Sequence, residues 1–264
     1  MVRTITVVND ALDGAIMLAL ASLTERIESL REEFLATTLH DVRQPMTLIQ
    51  ASLVLARRWL GHDDPDRDRL TATIDSALFA SQEMVAVIDT LGDASRVALG
   101  ALDIETEPTQ LAVVLDQVLE LLDPVSRARI SANVQRDLVG NWDAGVIRRV
   151  LTNLVSNALK YSDAAQPINI TCRAERGSVV LSVADQGIGL LPEEMEILFQ
   201  RYGRAGGARQ RRIAGLGLGL YASRGLVEAH GGRIWIESGG RDLGTTAFIQ
   251  LPLTTVQADA DSDL

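Results

Sequence analysis

The sequence predicts a long helical hairpin followed by a two-layer α/β sandwich, and three observations carry that expectation. Apolar residues at Ile16, Leu20, Leu23, Ile27, Leu30 and Phe34 alternate steps of four and three, the pattern of a helix with one sticky seam. The stripe shifts by one residue and resumes at Leu39, Val42, Met46, Ile49, Leu53, Ala56 and Leu60. After the turn sequence Gly61-His62-Asp63-Asp64-Pro65, a second seam runs through Leu70, Ile74, Ala77, Ser81, Met84, Ile88 and Leu91. Beyond Leu99 the period changes, and short β-rich runs alternate with amphipathic helices.

A first helix over residues 11–60 would reach about 75 Å at 1.5 Å per residue. Pro45 inside it removes one backbone donor and bends the rod. A two-helix hairpin buries only one face well, so its remaining stripe predicts a homodimer closed as an antiparallel four-helix bundle. The competing arrangement is a monomer whose hairpin packs on its own C-terminal half.

In that half, residues 101–106 read as a strand and residues 109–122 as a helix. Its buried face would hold Leu111, Val114, Leu115, Val118, Leu119 and Leu122, and Pro124 would end it. Residues 129–134 and 138–142 read as short strands. Asp143 is a plausible N-cap for a helix running to Tyr161. Residues 168–174 and 179–184 form a hairpin around Arg176-Gly177. A helix over 218–230 ends at Gly231-Gly232, and residues 233–237 and 245–250 make a last, largely antiparallel pair. The expected domains are residues 1–98, a coiled-coil linker and helical hairpin, and 99–253, the α/β domain. Residues 254–264 are polar and acidic and are expected to be disordered.

Composition narrows the function. The 264 residues carry 35 acidic and 25 basic side chains, a net charge of −10, which argues against broad nucleic-acid binding. A single cysteine, Cys172, excludes a disulfide framework. With only His40, His62 and His230 beside it, no zinc site of the usual spacing can be assembled. The weakly polar stretch at 14–23 is too short for a membrane span, and the first ten residues lack the layout of a secretion signal. A cytoplasmic protein is expected, and a piece cut from a membrane sensor would look the same. All but one of the basic residues are arginine. The lone Lys160 therefore marks a place where a compact ammonium serves and a planar fork does not.

His40 follows the seam residue Leu39 and shares its stripe with Glu33, Ala36, Thr37, Arg43, Gln44 and Thr47, so it is expected to face solvent. A solvated imidazole is largely neutral near pH 7 and is a competent nucleophile. Asn153, Asn157, Lys160 and Tyr161 occupy i, i+4, i+7 and i+8 of one helix and share a face. Carboxamide oxygens suit Mg²⁺, an ammonium suits phosphate and an aromatic ring suits a purine. The run Asp185-Gln186-Gly187-Ile188-Gly189 places a carboxylate at a strand end beside glycines that let backbone approach a flat ligand. Gly215, Gly217 and Gly219 precede a helix whose amides can cradle phosphate, with Leu220 closing the run. Phe199 to Arg204 leads into a Gly/Arg-rich stretch at 205–214, a candidate mobile lid. Each cluster alone also fits a solvated helix face, turn or loop. A Walker A loop is excluded, because no glycine-rich loop precedes Lys160.

In this order the clusters resemble the two-component sensor histidine kinases. His40-Asp41-Val42-Arg43-Gln44-Pro45-Met46 resembles their H-box, the segment from Leu151 to Tyr161 their N-box, and Asp185 to Gly189 the first glycine box. Phe199 to Arg204 resembles the F-box and Gly215 to Leu220 the second glycine box. The resemblance spans about residues 20–253 and implies a Bergerat-type ATP-binding domain behind a dimerisation and phosphotransfer hairpin. It implies ATP and Mg²⁺ as cofactors, with Asn157 on the metal, Asn153 in support, Lys160 on phosphate, Tyr161 at the nucleotide and Asp185 on the adenine amine. It further implies Gly187, Gly189, Phe199, Arg204, Gly215, Gly217, Gly219 and Leu220 as nucleotide-site residues. His40 would be the phosphoacceptor and Asp41 its proton acceptor. The receiver domain of a response regulator would dock nearby and take the phosphoryl group. Two positions depart from the family pattern: Asp41 replaces the usual Glu, and Gln44 stands where Thr or Asn is common. No sensor module precedes the seam, so the signal is expected from a separate sensor protein, from helix motion or from a missing upstream domain. The alternative function is a non-catalytic ATP-binding scaffold that docks a regulator.

Overall fold

The computed structural model describes residues 41–61, 66–210, 213 and 215–253, with isolated positions before residue 41. His40, most of the seam over 16–34 and the acidic tail at 254–264 lie outside the described residues. The chain forms two compact units, and the second begins at Ile88, inside a helix.

In the first unit, residues 41–60 are helical and carry Pro45 without interruption (α1). The helix α2, Arg67–Leu99, follows the turn. Asp66 caps its start by accepting from the Arg69 amide at 3.1 Å. Ser52, Ala56 and Ala80 are buried, whereas Met46, Leu53, Leu60, Ile74, Leu78 and Phe79 are all more than 40% exposed. Much of the predicted seam therefore stands uncovered in a single chain.

The second unit carries a five-stranded sheet in the order β2-β4-β5-β7-β6. Its strands are β2 (Ile130–Val134), β4 (Ile168–Glu175), β5 (Ser178–Asp185), β6 (Arg233–Glu237) and β7 (Thr245–Pro252). All neighbours are antiparallel except β2 and β4, which run parallel, a pairing that short antiparallel runs do not foretell. Helices α3 (Leu111–Glu120), α5 (Ala144–Tyr161) and α8 (Gly219–Ala229) bury one apolar stripe each in a common core with the sheet. Leu151 and Val150 of α5, Leu181 of β5 and Trp142 are fully buried there. Asp143 caps α5 as expected, accepting from the Val146 amide at 2.9 Å. The glycine pair after α8 also acts as expected. Gly231, at φ +68, lets the Gly232 amide turn back to the Val227 carbonyl at 3.0 Å.

Three local expectations are corrected. Residues 101–106 are not a strand. They place Leu102 and Ile104 against the core but have no ladder partner, and the strand is β1, Glu107–Gln110, paired with β3, Val139–Trp142. The helix predicted from residue 109 consequently begins at Leu111. Pro124 starts a helix as well as ending one. Asp123 accepts from the Val125 and Ser126 amides at 2.9 and 3.0 Å and caps the five-residue α4, Pro124–Ala128.

Candidate functional site

The site is built on the exposed edge of α5. The same periodicity that sends Val150, Leu151, Leu154, Val155 and Ala158 into the core leaves Asn153, Asn157, Lys160 and Tyr161 on the opposite side, half-buried or exposed. The Asn157 carboxamide donates to Asn153 Oδ1 at 3.4 Å. Asn153 in turn donates from Nδ2 to Ser223 Oγ of α8 at 2.9 Å. Ser223 is buried and fixes the carboxamide row to α8, a partner that no motif in the sequence flagged. The Lys160 ammonium lies 5.6 Å from the centre of the Tyr161 ring.

The two glycine segments close on this row. Ile188 donates its amide to the Tyr161 carbonyl at 3.1 Å, which ties the first segment to the end of α5. A Cβ at Gly187 would strike that same carbonyl, so only glycine allows the approach. On the other side, a Cβ at Gly219 would strike the Asn153 carboxamide. Gly217, at φ +65, passes close to the backbone of Tyr202 and Gly203, and Leu220 packs on the main core. Gly215 is grouped with the first compact unit.

Asp185 closes β5 beside these segments and accepts from the Gly187 amide at 2.7 Å. Burial pushes its carboxyl above the usual range, and hydrogen bonds from the Gly187 and Thr245 amides oppose that shift. Such a carboxyl is an acceptor already partly desolvated, the form that best discriminates a ligand N–H. Phe199 is half-buried against the main core, with the Arg224 guanidinium 5.9 Å from its ring centre. Arg204 turns its guanidinium to the Ile213 carbonyl at 2.6 Å. Part of the predicted lid is a short helix, α7, Gly206–Gln210. In the other unit, Asp41 and Gln44 both lie on α1, Asp41 half-buried and Gln44 exposed. Among the described residues no cluster of three His, Cys, Asp or Glu could hold a metal. Any divalent cation at α5 would have to be held by carboxamide, water and ligand oxygens, a set that suits Mg²⁺.

A carboxamide row, a half-buried Asp and two close-packed glycine segments meet on one side of an α/β sandwich. Comparison with known proteins places it. Residues 142–255 match the family of histidine kinase-, DNA gyrase B- and HSP90-like ATPases, and residues 30–100 match the His Kinase A phospho-acceptor domain. The chain belongs to the two-component sensor histidine kinases. It is 39% identical over 231 residues to sensor histidine kinase AruS of Pseudomonas aeruginosa, covering 81% of this chain and 22% of that one. It is 31% identical over 265 residues to virulence sensor protein BvgS of Bordetella bronchiseptica, covering 91% and 21%. The chain thus spans about a fifth of the length of these two relatives. A solved complex of the histidine kinase ThkA with response regulator protein TrrA shares the fold at a TM-score of 0.52 and 24% identity, covering 87% of this chain and 64% of that one.

Proposed function

We propose that the chain is an ATP-dependent protein-histidine kinase that phosphorylates its own His40 and passes the phosphoryl group to an aspartate of a response regulator. What carries the reading is the convergence of α5 with the two glycine segments, on a chain that also has a phospho-acceptor domain. In this reading Asp185 accepts the exocyclic amine of adenine, and Gly187 and Gly189 let the purine lie against the backbone. Tyr161 borders the nucleotide, with Phe199 and Arg204 beside it, and Lys160 meets phosphate oxygens. Gly215, Gly217, Gly219 and Leu220 pass the phosphates toward the N-terminus of α8.

Asn157 commits its N–H to Asn153, and its carboxamide oxygen is the ligand for Mg²⁺. When bound, Mg²⁺ neutralises charge that develops on the phosphates. The His40 imidazole attacks the γ-phosphorus in line. A P–N bond forms, the bond to the ADP oxygen breaks, and Asp41 takes the imidazole proton. The P–N bond then breaks as the receiver carboxylate attacks, and the leaving ring takes one proton back from Asp41 or water, which restores neutral His40. The exposed apolar side chains of α1 and α2 support a homodimer closed by a four-helix bundle. No helix among the described residues is long and apolar enough to cross a membrane. The need for ATP points to a cytoplasmic site of action.

Purified protein incubated with γ-labelled ATP and Mg²⁺ tests the reading. The label should be acid-labile and base-stable, and His40→Gln and Asn157→Ala should each abolish it. Sedimentation should give twice the chain mass. Label retained in His40→Gln would move the acceptor elsewhere, and ATP binding without any label would favour the scaffold.

A further inference from the structure

One ion pair in the ATP-binding unit joins three segments that lie far apart in sequence. Glu194, in the short helix α6 (Pro192–Met195), is 8% exposed. Its Oε2 accepts from the Leu191 amide at 3.0 Å. Its Oε1 accepts both from the Gly206 amide and from Arg241 Nη2, each at 2.7 Å. Gly206 is the first residue of α7, and Gly207 packs so close to the Arg241 guanidinium that a Cβ there would collide with it. Ala205 and Ala208 on either side are buried in a small second core with Ile188 and Leu190, beside Tyr161.

Arg241 is itself held by the first glycine segment. It lies in the turn between β6 and β7. The next residue, Asp242, donates its amide to the Ile188 carbonyl at 2.9 Å, and Gly244 donates to the Gly187 carbonyl at 3.2 Å. Ser238 in the same turn accepts from the Leu190 amide at 3.0 Å. The guanidinium therefore reaches from the backbone that borders Asp185 to the root of the segment leading into Gly217 and Gly219. Burial pushes the Glu194 carboxyl up, but the Leu191 and Gly206 amides and the Arg241 charge outweigh it and hold the group below its usual range. The carboxylate is buried and the Arg241 side chain is 35% exposed, and such a partly buried ion pair stabilises little beyond an apolar pair of equal volume. Its value here is registration, because a single carboxylate fixes α7 and the turn at one distance from each other.

We propose that Arg241 is a positioning residue for the nucleotide site, acting through Glu194 on the Gly206 end of the segment that leads toward Gly217 and Gly219. This rests on the reading of the unit as an ATP site. Removing the charge should loosen the phosphate end of the site and leave the purine end intact, since the Asp242 and Gly244 contacts are made by backbone.

The test compares ligands of one purine with different phosphate counts on the full chain. Calorimetric titration should show Arg241→Met weakening ATP about tenfold, the scale of one charge-assisted hydrogen bond, with adenosine changed less than about twofold. KM for ATP in autophosphorylation should rise while kcat at saturating ATP stays close to parent. Amide exchange over residues 206–210 should quicken, and Arg241→Lys should recover part of the affinity. Glu194→Gln, which keeps the shape and an acceptor, should reproduce the ATP-selective loss more weakly and add little to Arg241→Met. Equal losses for ATP and adenosine, or unchanged exchange over 206–210 in either variant, would overturn the proposal. Failure of the parent chain to bind ATP would instead remove the reading on which it rests.

Discussion

Gly219→Ala is the sharpest probe of the carboxamide row. The added methyl would land on the Asn153 carboxamide, and Asn153 must rotate away to admit it. Rotation breaks the 2.9 Å bond to Ser223 Oγ, which costs about 1 kcal/mol. A forced rotamer adds about 0.5–1.5 kcal/mol. Alanine at the first residue of α8 returns less than about 1 kcal/mol of helix propensity. The fold should therefore lose only about 1 kcal/mol, a fall of about 2–4 °C in melting temperature for a unit of this size. Nucleotide affinity should suffer more. The displaced Asn153 no longer holds Asn157, so Mg-ATP should weaken by about ten- to a hundredfold, or about 1.4–2.8 kcal/mol. Gly100→Ala is the control. Its φ of +63 strains any side chain, but nothing lies within 4 Å of the new methyl. It should lower the melting temperature comparably without touching ATP. Fluorescent-nucleotide titration and thermal melts of both variants, with Asn153→Ala as background, give the answer. In that background the clash has no target, and Gly219→Ala should add little. Parent-like affinity in Gly219→Ala, or full additivity with Asn153→Ala, would refute the reasoning.

Two further outcomes follow from buried groups elsewhere in the unit. The Asp93 side chain, near the end of α2, is 4% exposed and accepts from Arg149 Nε at 2.8 Å and Arg96 Nη2 at 2.6 Å. Asp93→Ala strands the partly buried Arg149 and should cost about 2–4 kcal/mol in urea unfolding; a loss under about 0.5 kcal/mol would mean the pair behaves as a surface contact. Burial pushes the Cys172 thiol up to about 11. At pH 8 only about one thiol in a thousand is ionised, against about a quarter for an exposed cysteine. Iodoacetamide should spare the native protein, quicken as pH rises toward that value and label completely in urea. Rapid native labelling at pH 8 would place the sulfur at the surface.

Periodicity located burial in this chain better than it located ladders. Leu102 and Ile104 alternate with exposed residues and do face the core, as a strand pattern requires. Alternation reports which side chains are covered, however, and a ladder also needs a partner backbone. That partner, β3, lies opposite Glu107–Gln110 and is thirty residues away in sequence. The end of α3 shows the opposite case, a signal present but read one way only. Proline after an apolar run stops a helix, yet Asp-Pro is also a cap followed by an N1 residue, and α4 uses it so. The parallel pairing of β2 with β4 has no local signature, because it depends on α5 crossing between them.

The proposed nucleotide site divides along the same line. Asn153, Asn157, Lys160 and Tyr161 were legible because one helix sets their spacing, and a polar stripe beside a fully apolar one invites a ligand. Glycines 187 and 219 were legible as glycines, but what they approach was not. The Tyr161 carbonyl and the Asn153 carboxamide become their neighbours only when the sheet and α8 are assembled. Ser223, Glu194 and Arg241 left no trace, since a serine in a helix, an acidic turn and one arginine among many are each ordinary. Their roles arise from contacts spanning 70 residues for Asn153 with Ser223 and 47 for Arg241 with Glu194. Residues proposed to meet a ligand can thus be picked out from short motifs. The residues that hold those motifs at the right separation are set by tertiary contacts, and in this unit they are the polar side chains that join one motif to the next.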